Sequence, residues 1–331
     1  MTILLRSLGA EVTGLALSPP SGPSLFALAD VAGDARSVIG DIRDLAAVEK
    51  VYAESSPEIV FHLAAQPIVR RSYVDPLETY MTNVMGTAHV LDAARRSASV
   101  NTIVVITSDK CYENPEWEWG CRENDPMGGH DPYSNSKGCA ELVTSAYRRS
   151  FFMNGKAGRT IGLASARAGN VIGGGDWAVN RLIPDTIRAI AAGEPVNVRN
   201  PESVRPWQHV LEPITGYLLL AERVASEPER YSEGWNFGPA DEDALPVREI
   251  LDRFCRHVGH GARWRHVLDE DAPHEARLLR LDIAKARARL GWRPRWTIDK
   301  GLEMTAAWYR AYLGGVSMAK ITLDQIEAFG P

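Results

Sequence analysis

Residues 101–108 read NTIVVITS, and Asp109 and Lys110 follow without a break. Ile103, Val104, Val105 and Ile106 form an unbroken apolar, β-rich run. A strand with one wet face would alternate apolar and polar residues, so this run predicts a strand covered on both faces. Upstream, residues 76–96 carry helical periodicity, 58–65 (EIVFHLAA) read as a second buried strand, and 45–55 as a helix. Residues 11–17 and 37–40 read as short strands before them. Downstream, 133–152 read as a helix and 160–166 as a strand. Strand and helix in alternation predict an α/β fold, a doubly wound parallel sheet with helices on both faces.

Beyond Val171 the pattern loosens. A Gly173-Gly174-Gly175-Asp176 run predicts a loop, and residues 195–206 read as irregular. Helices are expected over 181–192, 209–225, 247–258 and 297–313, with a short strand at 235–238. This predicts a sheet domain over 1–171 and a smaller mixed lobe over 172–331, some segments of which return to the sheet.

The bulk numbers exclude several classes. A net charge of -5 over 331 residues gives no basic footprint for nucleic acid, and the pairs Arg70-Arg71, Arg95-Arg96 and Arg148-Arg149 read as solvated charge. The four cysteines, 111, 121, 139 and 255, lack the pairing and neighbouring histidines of a zinc site, so no metal is expected. No run approaches the ~18 apolar residues of a membrane span, and the first residues lack the layout of a signal peptide. The cytoplasm is the expected location.

The chemistry gathers around the quoted strand. It ends in Ser108, Asp109 and Lys110, and 25 residues after Ser108 comes Tyr133, with Lys137 four residues on. Positions i and i+4 share a helix face, so phenol and ammonium point the same way. In a doubly wound fold, ligands bind beyond the carboxyl ends of the strands, where these five groups would meet. A cation within ~4–6 Å favours the phenolate, so Lys137 is expected to lower the Tyr133 pKa and make it a base.

With these residues in view, the chain resembles the extended short-chain dehydrogenase/reductase family, and within it the CDP-glucose 4,6-dehydratases. The resemblance runs over nearly the whole chain. It rests on 62–66 (HLAAQ), 107–114 (TSDKCYEN), 131–137 (DPYSNSK), 166–171 (ARAGNV), 205–209 (RPWQH), His274-Glu275 and 290–292 (LGW). It implies a Rossmann-type fold, bound NAD, a nucleotide-sugar substrate (CDP-glucose favoured) and a homodimer joined through the helices 76–96 and 133–152. Loss of water would give CDP-4-dehydro-6-deoxy-D-glucose, which in this family usually feeds a bacterial surface polysaccharide.

By the same resemblance Tyr133 takes the 4-hydroxyl proton, Ser108 bonds the reacting oxygen, and Lys137 supports Tyr133 and grips the nicotinamide ribose. Lys110 is the base at carbon 5 and Asp109 the acid for the departing 6-hydroxyl, or the two share one proton. Asp109 needs a raised pKa for this role and Lys110 a lowered one. Cofactor contacts fall on Asp41, Ile42, Ala64, Ala65, Gln66 and Asn83. Asn170 would meet the sugar nucleotide and Arg205 a diphosphate oxygen, with Arg181 and Arg277 as further phosphate or nucleotide candidates. Trp207 and His209 read equally well as packing or contact residues.

One departure stands out. The family opens with a strand and a glycine-rich turn that cradles the pyrophosphate at a helix N-terminus, and residues 2–9 read instead as the second half of the following helix. Ser18 stands where an acidic residue often holds the ribose. The expectation is a first strand missing from the sheet, a Met1 that truncates a protein longer by on the order of 20–30 residues, and weak NAD⁺ binding without them. Two rival readings remain: a nucleotide-sugar epimerase, which has no use for Asp109 and Lys110, and a non-catalytic remnant of the fold.

Overall fold

The computed structural model describes residues 1–20, 22–153, 159–268 and 276–330. Strands β1 (Thr13–Ala16) and β2 (Arg36–Ile39) pair in parallel and, among the described residues, only with each other. Strands β3 (Ile59–His62), β4 (Thr102–Ile106), β5 (Gly162–Ala168) and β6 (Gly234–Phe237) form a second parallel sheet in the order β6–β5–β4–β3. The expected sheet therefore comes in two pieces, because β1 and β3 share no ladder among the described residues.

The quoted strand explains the layering. Ile103 and Val105 of β4 enter a core with Val48 and Tyr52 of α1 (Leu45–Ser55) and with Val90 and Leu91 of α2 (Gly86–Arg96). Val143 and Tyr147 of α3 (Pro132–Tyr147) pack against the same core. Val104 points the other way, to Leu220 and Val224 of α4 (Leu211–Ser226) and to Trp235 and Phe237 of β6. Side chains alternate along a strand, so only a strand clad on both sides can be apolar throughout. That is why the run lacks polar residues.

Helix starts follow local chemistry. Asp44 accepts from the backbone N–H groups of Ala46 and Ala47 at the head of α1. Asp131 accepts from Ser134 N–H at 2.9 Å, with Pro132 in the first turn of α3. Such caps contribute about 0.5–2 kcal/mol each. The helical run expected over 76–96 is present, interrupted by a π-helical turn at Met81–Met85. A second π turn, Arg148–Phe152, closes the run begun by α3.

A further core gathers Ile183, Ile187, Trp207, Phe254, Leu302 and Trp308. The helices Leu182–Ala192, Val247–Val258, Ile298–Leu313 and Met318–Phe329 contribute to it. Residues 195–206, expected to be irregular, hold the strands Val196–Val198 and Val204–Arg205, which pair with Trp264–His266 and Leu245–Pro246. Val196 and Val198 are buried with Asn197 exposed between them, a period-two signal too short to register in sequence. Among the described residues no helix is long and apolar enough to cross a membrane.

Candidate active site

The chain leaves β4 and turns at Ser108, which caps the 3₁₀ turn Asp109–Cys111 by accepting from Lys110 N–H at 3.2 Å. The Ser108 hydroxyl donates to Asp109 Oδ1 at 2.9 Å and acts on the Tyr133 phenol. Tyr133 and Lys137 lie one turn apart on α3, both buried. Gly138 lets the helix come this close, since a Cβ there would lie 3.1 Å from the Cys111 and Gly128 carbonyl oxygens. A cleft of about 480 Å³ opens over these groups, lined by Ser108, Asp109, Lys110, Tyr133, Lys137, Ala65, Asn170, Arg181 and Arg205. All five expected catalytic groups thus share one cavity.

Burial dominates the electrostatics. It pushes the Tyr133 phenol up to about 12; Ser108 and Arg181 pull it down, while Asp109 adds to the rise. The expected lowering by Lys137 is therefore corrected: desolvation wins, and Tyr133 is a neutral phenol in this state. Burial also brings the Lys137 ammonium down to about 8, against the pull of Cys111 and Glu141. It raises the Asp109 carboxyl too, although Lys110, Ser108 and Arg205 oppose the rise. Asp109 Oδ2 is buried without a hydrogen-bond partner, an environment that favours the protonated acid.

The cofactor candidates divide. Ala65 lines the cleft, whereas Ala64 and Ile42 pack against or within the sheet core. Asp41 is held by Arg43, with Nε donating at 2.8 Å, away from the cleft lining. Gln66 and Asn83 bind each other. Gln66 N–H donates to Asn83 Oδ1 at 2.8 Å, and Asn83 Nδ2 donates to the Gln66 carbonyl at 3.1 Å and to Ser136 Oγ at 2.8 Å. They brace the segment after β3 against α3. Lys137 fits a nicotinamide ribose: it is buried, lines the cleft and donates to no other described residue.

The substrate candidates also divide. Asn170 lines the cleft, and Arg181 does so while donating to Asp176 at 3.2 Å. Arg205 reaches the cleft, and its guanidinium donates to the backbone carbonyls of Val204 at 2.9 Å and Arg277 at 3.4 Å. Arg277 itself is exposed and outside the lining. Trp207 lines the cleft, and His209 packs against Trp296 at 5.0 Å. His274 and Glu275 lie outside the described residues. Arg70, read as solvated charge, lines the cleft, while its neighbour Arg71 pairs with Glu78. Asp176 and Arg199 also line it. Only tertiary folding brings these residues to the cleft.

Comparison with known proteins decides the family. The sequence profile described as GDP-mannose 4,6 dehydratase matches residues 24–305. The chain belongs to this family. A CDP-glucose 4,6-dehydratase from Salmonella typhimurium is 52% identical to the present family member over 331 residues, spanning 99% of this chain and 92% of that protein. A dTDP-glucose 4,6-dehydratase from Streptomyces antibioticus is 30% identical, over 82% of this chain and 76% of that one. Among solved structures, the dTDP-glucose 4,6-dehydratase DesIV from Streptomyces venezuelae, with NAD and TYD bound, superposes with a TM-score of 0.78. It is 25% identical and covers 96% of each chain. A UDP-glucose 4-epimerase from Thermotoga maritima shares the fold, with a TM-score of 0.79 at 21% identity over 93% of this chain and 94% of that one.

Proposed function

We propose that this protein uses NAD⁺ to convert CDP-D-glucose into CDP-4-dehydro-6-deoxy-D-glucose. The observation that carries the reading is the single cleft holding Tyr133, Lys137 and Ser108 together with Asp109 and Lys110. The first three suffice for oxidation at carbon 4, and only an elimination also needs an acid and a base. The 52% identical CDP-glucose 4,6-dehydratase supports the cytidine nucleotide, as does Lys110, since dehydratases of other nucleotide sugars usually carry Glu there. NAD⁺ would accept hydride from carbon 4 and, once reduced to NADH, would return it to carbon 6.

Tyr133 takes the proton of the 4-hydroxyl, and Ser108 holds that oxygen by a hydrogen bond. Lys137 supplies positive charge beside the phenol and grips the ribose. The new ketone acidifies the carbon-5 proton, which Lys110 removes while Asp109 gives its proton to the departing 6-hydroxyl. Asn170, Arg181 and Arg205 hold the nucleotide half, so the cofactor contacts fall in 1–171 and most substrate contacts in 172–331. The test is product analysis with CDP-glucose and NAD⁺. A 4-keto-6-deoxy sugar, seen by its absorbance in strong base, is expected; an epimerised sugar or unchanged substrate overturns the reading.

We further propose a homodimer. Leu77, Met81 and Met85 recur every four residues along the 76–96 helical run and are 75%, 45% and 43% exposed, and Leu142 of α3 is 60% exposed. Two copies of these helices would cover that surface. Light scattering should show a dimer that Leu77→Glu/Met81→Glu converts to monomer; a monomeric parent rejects the interface.

A further inference from the structure

We propose that Glu141 is a positioning residue for this dehydration, one that locks α3 to the ends of β4 and β5 and so sets where Tyr133 and Lys137 stand against Ser108. The inference rests on the function proposed above. Tyr133, Lys137 and Glu141 follow at four-residue intervals on α3, and all three are buried. The Glu141 carboxylate receives four donors, one from the residue that follows β4 and three from β5. Oε1 accepts from Thr107 Oγ1 at 2.5 Å and Arg167 Nε at 2.9 Å. Oε2 accepts from Ser165 Oγ at 2.7 Å and Arg167 Nη2 at 2.8 Å.

These partners sit beside the chemistry. Thr107 immediately precedes Ser108, and Arg167 lies three residues before Asn170. Arg167 also donates to the Tyr112 hydroxyl at 2.6 Å, and Tyr112 to Asn236 Oδ1 at 2.7 Å. The network therefore grips the segment carrying Ser108, Asp109 and Lys110 at both ends. A carboxylate with every lone pair engaged fixes the register of helix and strand more tightly than apolar packing, which tolerates sliding.

Charge adds a second role. The groups that interact with Lys137 are His62 from β3, Cys111 from the 3₁₀ turn and Glu141 from α3, which also carries Tyr133. Burial keeps His62, Cys111 and Tyr133 neutral. Glu141 carries a negative charge among them, offset in part by its ion pair with Arg167, and it opposes the lowering of Lys137 by desolvation. Removing it lowers the Lys137 pKa further, so activity that needs the ammonium is lost at lower pH.

The experiment compares the parent with Glu141→Gln and with Glu141→Gln/Arg167→Met, which leaves no uncancelled charge and keeps the test alive if the single variant fails to fold. Lys137 is titrated by NMR with isotopically labelled lysine, assigned through Lys137→Arg. Glu141→Gln should lower its midpoint by about one unit and the double variant by less, because the Arg167 charge leaves with that of Glu141; in both, kcat should fall about ten- to a hundredfold with KM within about twofold. An unmoved midpoint in Glu141→Gln, a larger shift in the double variant than in the single one, or an unchanged kcat per folded molecule overturns the proposal. The titration needs no turnover. Absence of the dehydrated product with the parent would reject the proposed function instead, leaving the Lys137 result to stand by itself.

Discussion

Tyr133 begins the reaction in the wrong protonation state, since burial holds its phenol near 12. Its use as a base must await a bound positive charge that outweighs desolvation. Tyr133→Phe keeps the ring and deletes the oxygen, so turnover should fall about 10²–10⁴-fold with nucleotide binding retained, checked by steady-state kinetics beside CDP titration. His62 makes a pH-dependent contribution. Burial takes its pKa down to about 3, and its Nε2 lies 2.9 Å from Thr87 Oγ1. Above the ordinary histidine pKa of about 6.5 neither folded nor unfolded chain is protonated there. Below it the unfolded chain takes up a proton that the folded one refuses, so stability falls as pH drops from about 6.5 towards 3. Thermal melts should be flat above that window and fall within it, more shallowly for His62→Gln. Ser108, Tyr133 and Lys137 were legible because a strand end and a four-residue spacing are local facts. The pKa of Tyr133, the place of Arg70 and the grip of Glu141 depend on what surrounds each side chain, and spacing carries none of that.

Elements were legible where an apolar run or a helical period marked them. The strands β3, β4 and β5 and the helices around them announced themselves by unbroken apolar runs or a 3.6-residue period. The pieces Leu25–Leu28, Val31–Asp34 and Val196–Val198 are three or four residues long, too short to display a period. The π turns were also hidden, because one extra residue in a turn leaves the apolar pattern almost unchanged. The glycine run at 173–175 read as a loop, but its tightest constraint comes from elsewhere. A Cβ on Gly174 would lie 2.0 Å from the ring of Trp308, which is itself buried. Gly174→Ala must therefore push the loop away from the helix Ile298–Leu313. The expected loss is about 1–3 kcal/mol of stability, read by denaturant melts, with KM raised because Gly173 and Asn170 line the cleft.

At the scale of the whole molecule, the parallel sheet was foreseen and its division was seen only as a missing strand. Among the described residues β1 and β2 form a ribbon with no third strand, while β4 is paired on both sides. A two-stranded ribbon is marginal by itself. Hydrogen exchange followed by mass spectrometry should find the amides of 13–16 and 36–39 opening well before those of 102–106 and 162–168; equal protection would show that the two sheets unfold as one. β1 and β3 each keep a flank of N–H and C=O groups with no ladder partner among the described residues, and Ile59 on β3 is 44% exposed. A strand that bridged the two sheets would close both flanks at once, so the exchange rates of 13–16 and 59–62 would slow together.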